Sequence, residues 1–129
     1  MTLATSLVHL YPPKHHARAL RIVDDVLNQD ADNIVCLMDR GYILEAGVKW
    51  SEAGTMFTRV TELIPDDLND GLRAQEEGAW CRVQAHALED GLIGLKHVLG
   101  ILCSLENRRF DQARCLWRIG KCHWEMGGQ

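Results

Sequence analysis

The sequence lacks a hydrophobic run long enough to cross a lipid bilayer. Its long apolar stretches, such as residues 91–105, are interrupted by polar side chains, here Lys96 and His97, whereas a membrane helix needs roughly 20 apolar residues. Residues 1–10 also lack the basic start and the small-residue cleavage site of a signal peptide. We therefore expect a soluble protein with no membrane association, located in the cytoplasm or, as the second choice, in the nucleus.

An excess of positive charge is missing too. The chain of 129 residues has a formal net charge of −4 and a pI near 5.8, so no overall field draws the molecule to nucleic acid or anionic lipid. With 47% hydrophobic and 25% charged residues, it has the composition of an ordinary globular protein. Its length suffices for one domain with a modest core.

The cysteines lack the spacing of a disulfide framework or a zinc site. They are five in number, and no two of them form a C-x-x-C motif. Cys36 and Cys115 recur at one position of the repeat described below, and Cys81 and Cys122 recur at another. Such recurrence is typical of small buried side chains, so we expect structural rather than reactive cysteines.

Common motifs of catalysis and cofactor binding are also absent. There is no glycine-rich phosphate loop, no G-x-S-x-G and no H-E-x-x-H. His15 and His16 would point in different directions on a helix, so exposed polar side chains are a better interpretation than a metal site with His9. We predict no catalytic residue, no metal, no cofactor and no small-molecule substrate, and hence a protein that is not an enzyme.

Pairs of adjacent acidic residues occur along the chain. Neighbouring side chains diverge on a helix, so two adjacent carboxylates do not make an acid–base pair. We expect these pairs to form solvated faces. They include Asp24-Asp25, Asp66-Asp67 and Glu76-Glu77.

What the chain does contain is an internal repeat. With a shift of 34 residues (53 − 19), the segment from Ala19 to Val26 aligns with that from Ala53 to Val60, and small, bulky and β-branched apolar residues fall at matching places. Two short helices in a period of about 34 residues resemble the tetratricopeptide repeat. Because such a repeat cannot bury its own apolar face, it is stable only in a stacked array. The sequence thus predicts an all-α protein, an α-α superhelix of about seven helices in antiparallel pairs.

The repeat pattern divides one domain, residues 1–129, into repeats at about 1–33, 34–67 and 72–107 and a lone first helix at 110–126. The first helix of the first repeat, with Leu3, Leu7 and Leu10, ends at two prolines. In the second repeat Gly41 has no side chain, so we expect the partner helix, which carries Phe57, to approach it closely.

The third repeat is displaced by four residues, which we place in a surface loop within residues 66–71. Its first helix is predicted to turn Gln75, Ala79 and Arg82 toward the core. The last helix is apolar, carries two tryptophans and has no partner helix. Since arrays normally end in a helix with a polar outer face, we expect a piece of a longer solenoid or a cover supplied by another chain.

In tetratricopeptide proteins, defined positions of each first helix line the concave groove that binds partners. Aromatic and arginine side chains are frequent anchors of such interfaces. For Trp80 and Trp124, packing between adjacent helices is an equally good interpretation. No repeat has the Lys and Asn pair with which chaperone-binding members hold a carboxylate, so that partner class is disfavoured. The predicted binding residues are Met38, Tyr42, Glu45, Arg73, Glu77, Trp80, Arg114, Trp117, Arg118, Lys121 and Trp124.

A narrower resemblance involves residues 17–33 and 41–67 and the block 76–81 leading to residues 115–125. These stretches resemble a mid-chain part of the fungal tetratricopeptide scaffold subunit of the superkiller complex, a family whose members are many times longer. The resemblance implies a cytoplasmic scaffold that holds a helicase subunit and WD-repeat subunits and helps to feed messenger RNA, 3′ end first, to the RNA exosome. It implies no catalytic residue.

Two alternatives remain open. The chain would also suit a generic repeat adaptor of another assembly. Arg114, Arg118 and Lys121 would form a basic strip suited to RNA, which makes an RNA-binding repeat module the other alternative. A solvated or partner-facing edge is the favoured interpretation of this strip, so RNA contact is expected to be indirect.

Overall fold

The computed structural model describes residues 16 to 127. This part of the chain is helical and contains no strand, which confirms the predicted all-α class. The predicted helix around Leu3, Leu7 and Leu10 lies outside the described residues. The helices are α1 (His16–Gln29), α2 (Ile34–Ala46), α3 (Trp50–Leu63), α4 (Asp70–Gln84), α5 (Leu88–Cys103) and α6 (Arg109–Gly127).

Each helix packs against the next one along the chain. The contacts of α4 with α3 and with α5 are the most extensive. The short connections make successive helices antiparallel, and the first helices of the repeats also contact one another, α2 with α4 and α4 with α6. The fold is therefore a row of helical hairpins with α2, α4 and α6 on one side. None of the helices in the described residues is long and apolar enough to span a membrane.

Local sequence explains several helix ends. The side chain of Asn33 accepts a hydrogen bond from the backbone N–H of Cys36 at 3.0 Å and so caps α2. Helix α3 ends shortly before Pro65, whose ring cannot continue a helix. The side chain of Asp67 accepts hydrogen bonds from the backbone N–H groups of Asn69 and Gly71. The inserted loop therefore spans residues 64–69, and α4 begins within the stretch predicted as loop.

The turns after α2 and α4 have the same structure. Val48 and His86, 38 residues apart (86 − 48), both have positive φ, at 54° and 70°. Each donates its backbone N–H to the carbonyl three residues earlier, at 2.9 Å and 3.0 Å. The displacement of the third repeat stays a prediction. The left-handed conformation is strained for a β-branched residue such as Val48.

The close approach predicted at Gly41 is confirmed. A Cβ atom added there would lie 2.5 Å, 2.7 Å and 2.9 Å from ring atoms of Phe57. The Phe57 ring is fully buried and meets Tyr42 edge-on, with ring centroids 5.5 Å apart. Gly120 occupies the same repeat position in α6, and a Cβ there would have nothing within 4 Å.

Helix α4 lies at the centre of the core. Ten of its 15 residues are buried. Leu72 and Val83 belong to a hydrophobic cluster shared with α5 and α6, whereas Ala74 and Cys81 belong to one shared with α2 and α3. Both clusters therefore depend on this one helix.

Two of the three core residues predicted on α4 are not in the core. Ala79 is buried, but Gln75 is only half-buried and Arg82 is exposed. These two side chains face a cleft between α3 and α5, where the neighbouring helices stand apart. The face packed against α5 carries Leu72, Ala79 and Val83 instead.

Candidate protein-binding face

The side of the molecule formed by α2, α4 and α6, here called the first-helix face, contains two buried carboxylates. Glu76 and Glu77 of α4 are each 1% exposed. Arg114 of α6 donates to both carboxylate oxygens of Glu76, from Nε at 2.8 Å and from Nη2 at 2.7 Å. Such a bidentate pair fixes both the distance and the relative orientation of the two side chains.

Arg118, one turn further along α6, joins the two glutamates. Its Nη1 donates to Glu76 Oε2 at 2.6 Å and to Glu77 Oε2 at 2.8 Å, and its Nη2 donates to Glu77 Oε1 at 3.1 Å. Arg73 donates from Nε to Glu77 Oε2 at 2.7 Å. These five side chains form what we call the arginine–glutamate cluster, which links α4 to α6.

The expectation that Glu76 and Glu77 form a solvated face is wrong. Buried carboxylates are tolerated when they are paired and hydrogen-bonded, and here three arginines supply that pairing. Two of the arginines come from α6, at a sequence separation of 38 to 42 residues. The prediction considered only that adjacent side chains diverge on a single helix, so it overlooked partners on a neighbouring helix. Sequence reasoning therefore missed Glu76 as part of the site.

The charges of the cluster are stabilised by one another. Burial by itself raises the pKa of Glu77, but the Arg118 and Arg73 guanidinium groups outweigh it and lower that pKa to about 2. Burial by itself lowers the pKa of Arg118, and the two glutamates outweigh it and raise that pKa. Glu77 and Arg118 are therefore ionised at neutral pH.

Glu45 of α2 behaves in the opposite way. Burial, followed by the negative charge of Glu77, raises its pKa to about 9. At neutral pH Glu45 is thus protonated and can donate a hydrogen bond to the Glu77 carboxylate. Its Oε2 accepts from the Cys81 thiol at 3.5 Å, and burial raises the pKa of that thiol. This hydrogen bond therefore connects α2 to the arginine–glutamate cluster.

Aromatic rings lie beside the cluster. The Arg73 guanidinium is 5.7 Å from the centroid of the Tyr42 ring, and that of Arg118 is 5.2 Å from the Trp80 ring. The Trp80 and Trp117 rings are 6.0 Å apart. At the two arginine–ring distances, a cation is attracted to an aromatic face. Trp80 is buried, so it packs between helices, as one of its two predicted roles proposed.

An exposed aromatic edge continues from the cluster along α6. Trp117 and Trp124 are 60% and 67% exposed, and the Lys121 ammonium lies 5.9 Å and 5.4 Å from their ring centroids. We call these three residues the tryptophan edge. Within residues 16–127, Trp124 therefore does not pack between helices, which was the alternative role predicted for it.

The predicted binding residues thus differ in what they offer a partner. Met38 and Glu77 are buried, so they support the surface instead of forming it. Trp117 and Trp124 present the largest exposed rings. The half-buried members are Tyr42, Glu45, Arg73, Arg114, Arg118 and Lys121. Binding by this set stays a prediction.

A small cleft opens on the first-helix face. It has a volume of about 270 Å³ and is lined by residues that include Tyr42, Glu45, Trp80 and Arg118. Aromatic walls with a few polar groups suit an inserted side chain. Among the described residues, no three His, Cys, Asp or Glu side chains are close enough to hold a metal ion.

The basic strip predicted on α6 is largely neutralised. Arg114 pairs with Glu76 and Asp111, and Arg118 pairs with Glu76 and Glu77. Phosphate binding requires cations that are free to replace counterions. The geometry therefore weakens the RNA-binding alternative.

Comparison with known proteins shows which protein the chain is similar to. No protein-family model matches the chain. Superkiller protein 3 of Saccharomyces cerevisiae is 30% identical over 124 residues. The chain is similar to a segment of Superkiller protein 3. The alignment covers 95% of the chain but only 8% of the yeast protein. The resemblance predicted from the sequence is thereby confirmed.

Proposed function

We propose that the chain is part of a protein–protein interaction scaffold of the superkiller type, which assists 3′-to-5′ decay of messenger RNA by the exosome. The similarity to Superkiller protein 3 over nearly the whole chain supports this role, as does the row of helical hairpins. The proposed partners are a helicase subunit and WD-repeat subunits, the proposed compartment is the cytoplasm, and no catalytic step is assigned to the chain.

The observation that carries the proposal is the tryptophan edge on a rigid base. Trp117 and Trp124 are exposed and project from the helix that Arg114 and Arg118 hold against α4. Preorganised aromatic side chains make strong contacts because little conformational entropy is lost on binding. We propose that the partner protein packs on this edge and extends toward the cleft at Tyr42.

A pull-down from yeast extract tests the proposal. We expect the tagged chain to recover helicase and exosome subunits, and the double variant Trp117→Ala, Trp124→Ala to recover much less of them. Phe110→Ala is the matched control, since Phe110 is another exposed aromatic residue on α6. Equal recovery by the double variant would place the partner elsewhere.

The same experiment separates the scaffold from a generic adaptor. Recovery of an unrelated assembly, lost in the double variant, would support the adaptor and contradict the superkiller role. Contact with RNA is proposed to run through the helicase subunit, because Arg114 and Arg118 are already paired.

A further inference from the structure

A second surface lies away from the predicted binding residues, between α3 and α5. Two clefts, with volumes of about 390 Å³ and 470 Å³, share Thr58, Gly78 and Arg82 in their linings. Helix α4 forms the floor of both. Because the clefts share residues from α3 and α4, they form one continuous groove, here called the α3–α5 groove.

The groove is open because its floor and part of its walls carry small side chains. Gly78 and Ala74 lie on the floor, and Gly54 and Gly94 face it from the two sides. Ile93 contributes an apolar wall that is 69% exposed. The surface therefore combines apolar contact area with open space above a floor of small residues.

Arg82 lies where the two clefts meet, and it is unpaired. Among the described residues, no carboxylate forms an ion pair or hydrogen bond with its guanidinium, unlike those of Arg73, Arg114 and Arg118. A Cβ added at Gly94 would lie 2.9 Å from Arg82 Nη2, and one at Gly78 would lie 3.9 Å from Nη1. The guanidinium thus rests across two glycines inside the groove.

The remaining charges of the groove do not compensate Arg82. Arg59 and Glu62 line it, but Arg59 is paired with both Asp32 and Glu62. His97 and Cys81 are the other titratable lining residues. The groove therefore carries an uncompensated positive charge, although the chain as a whole has a net charge of −4.

We propose that the α3–α5 groove binds an acidic segment of a partner protein, with a carboxylate of that segment paired to Arg82. A guanidinium in a fixed position binds a carboxylate through two parallel hydrogen bonds. Apolar side chains of the same segment contact Ile93 and the small residues of the floor. A protein segment fits better than RNA, because a single unpaired arginine cannot follow a row of phosphates.

Selection from a displayed library of random dodecapeptides tests the proposal. We expect the peptides that bind the wild-type chain, after removal of those that also bind Arg82→Gln, to be enriched in Asp and Glu. In fluorescence anisotropy, Arg82→Gln should weaken the binding of an enriched peptide roughly tenfold or more. Arg21→Gln, at another exposed arginine for which residues 16–127 supply no ion pair, should leave the affinity unchanged.

A second variant tests the groove itself. Thr58→Glu would place a carboxylate beside Arg82 and should compete with the peptide. Both substituted residues are exposed, so we expect wild-type melting temperatures. The proposal would be overturned if folded Thr58→Glu or Arg82→Gln bound the enriched peptide as tightly as the wild type does. A selection that yields no enrichment in Asp and Glu would overturn it too. Binding of a single-stranded uridine oligonucleotide that Arg82→Gln abolishes would overturn the assignment to a protein segment.

Discussion

Arg118 of α6 donates a hydrogen bond to each carboxylate oxygen of Glu77 on α4, at 2.8 Å and 3.1 Å. The two residues lie on neighbouring helices of the first-helix face, so their pairing fixes how α6 stacks on α4. Because Glu77 is 1% exposed, the pair is shielded from water and from salt screening.

Glu77→Ala is expected to destabilise the chain by roughly 3 kcal/mol, since it removes a buried carboxylate that pairs with Arg118, whose side chain is 12% exposed, and with the half-buried Arg73. Urea unfolding measures the effect. The control is Glu62→Ala, whose partner Arg59 is largely exposed and whose loss should cost less than about 1 kcal/mol. Similar losses in both variants would contradict the structural role of the buried pair.

Glu45→Gln should change how stability depends on pH. The folded-state pKa of Glu45, about 9, lies above its unfolded value, so the folded chain retains a proton that the unfolded chain releases. Wild-type stability should therefore fall as pH rises from about 5 to about 9, with a slope of at most about 1.4 kcal/mol per pH unit.

Glutamine mimics the protonated carboxyl and does not titrate. The free energy of unfolding of Glu45→Gln should thus exceed that of the wild type by an amount that grows with pH across this window. Denaturant unfolding at a series of pH values measures it. Parallel profiles for the two proteins would show that Glu45 is ionised in the folded chain.

Gly41→Ala and Gly120→Ala should have opposite effects, although both glycines occupy the same repeat position. The new methyl group at residue 41 would collide with Phe57, with an expected cost of roughly 1 to 3 kcal/mol. At residue 120 it would meet nothing within 4 Å, and alanine favours the helix by about 1 kcal/mol. Thermal unfolding of both variants distinguishes these effects, and a stabilised Gly41→Ala would contradict the close packing of α2 on α3.

Val48→Gly should stabilise the turn after α2. Val48 is exposed and has a φ of 54°, where a β-branched side chain costs about 1 kcal/mol or more. The control is Val26→Gly, because Val26 is an exposed valine within α1, where glycine should destabilise the helix. The two melting temperatures should therefore shift in opposite directions, and a drop in both would show that the turn is not strained.

Local features of the fold were predictable, because each depends on residues close in sequence. The repeat pattern indicated the helices between residues 34 and 67, and the missing side chain at Gly41 indicated the close approach of the helix that carries Phe57. The sequence also indicated a displaced third repeat, which stays a prediction.

The electrostatic part of the candidate site could not be predicted in the same way. The burial of Glu76 and Glu77 depends on arginines from another repeat, and a single helical period contains no information on that pairing. The exposure of Arg82 likewise depends on the distance between α3 and α5. Both features are set by the stacking of helices that are far apart in sequence.

The central place of α4 has a consequence for how the molecule unfolds. In repeat arrays, cooperativity passes from one unit to the next through their interfaces. Helix α4 contributes side chains to both hydrophobic clusters and the glutamates that hold α6. Fraying of α4 would release both halves at once, so the described residues should exchange their slowest amide hydrogens in a single global event.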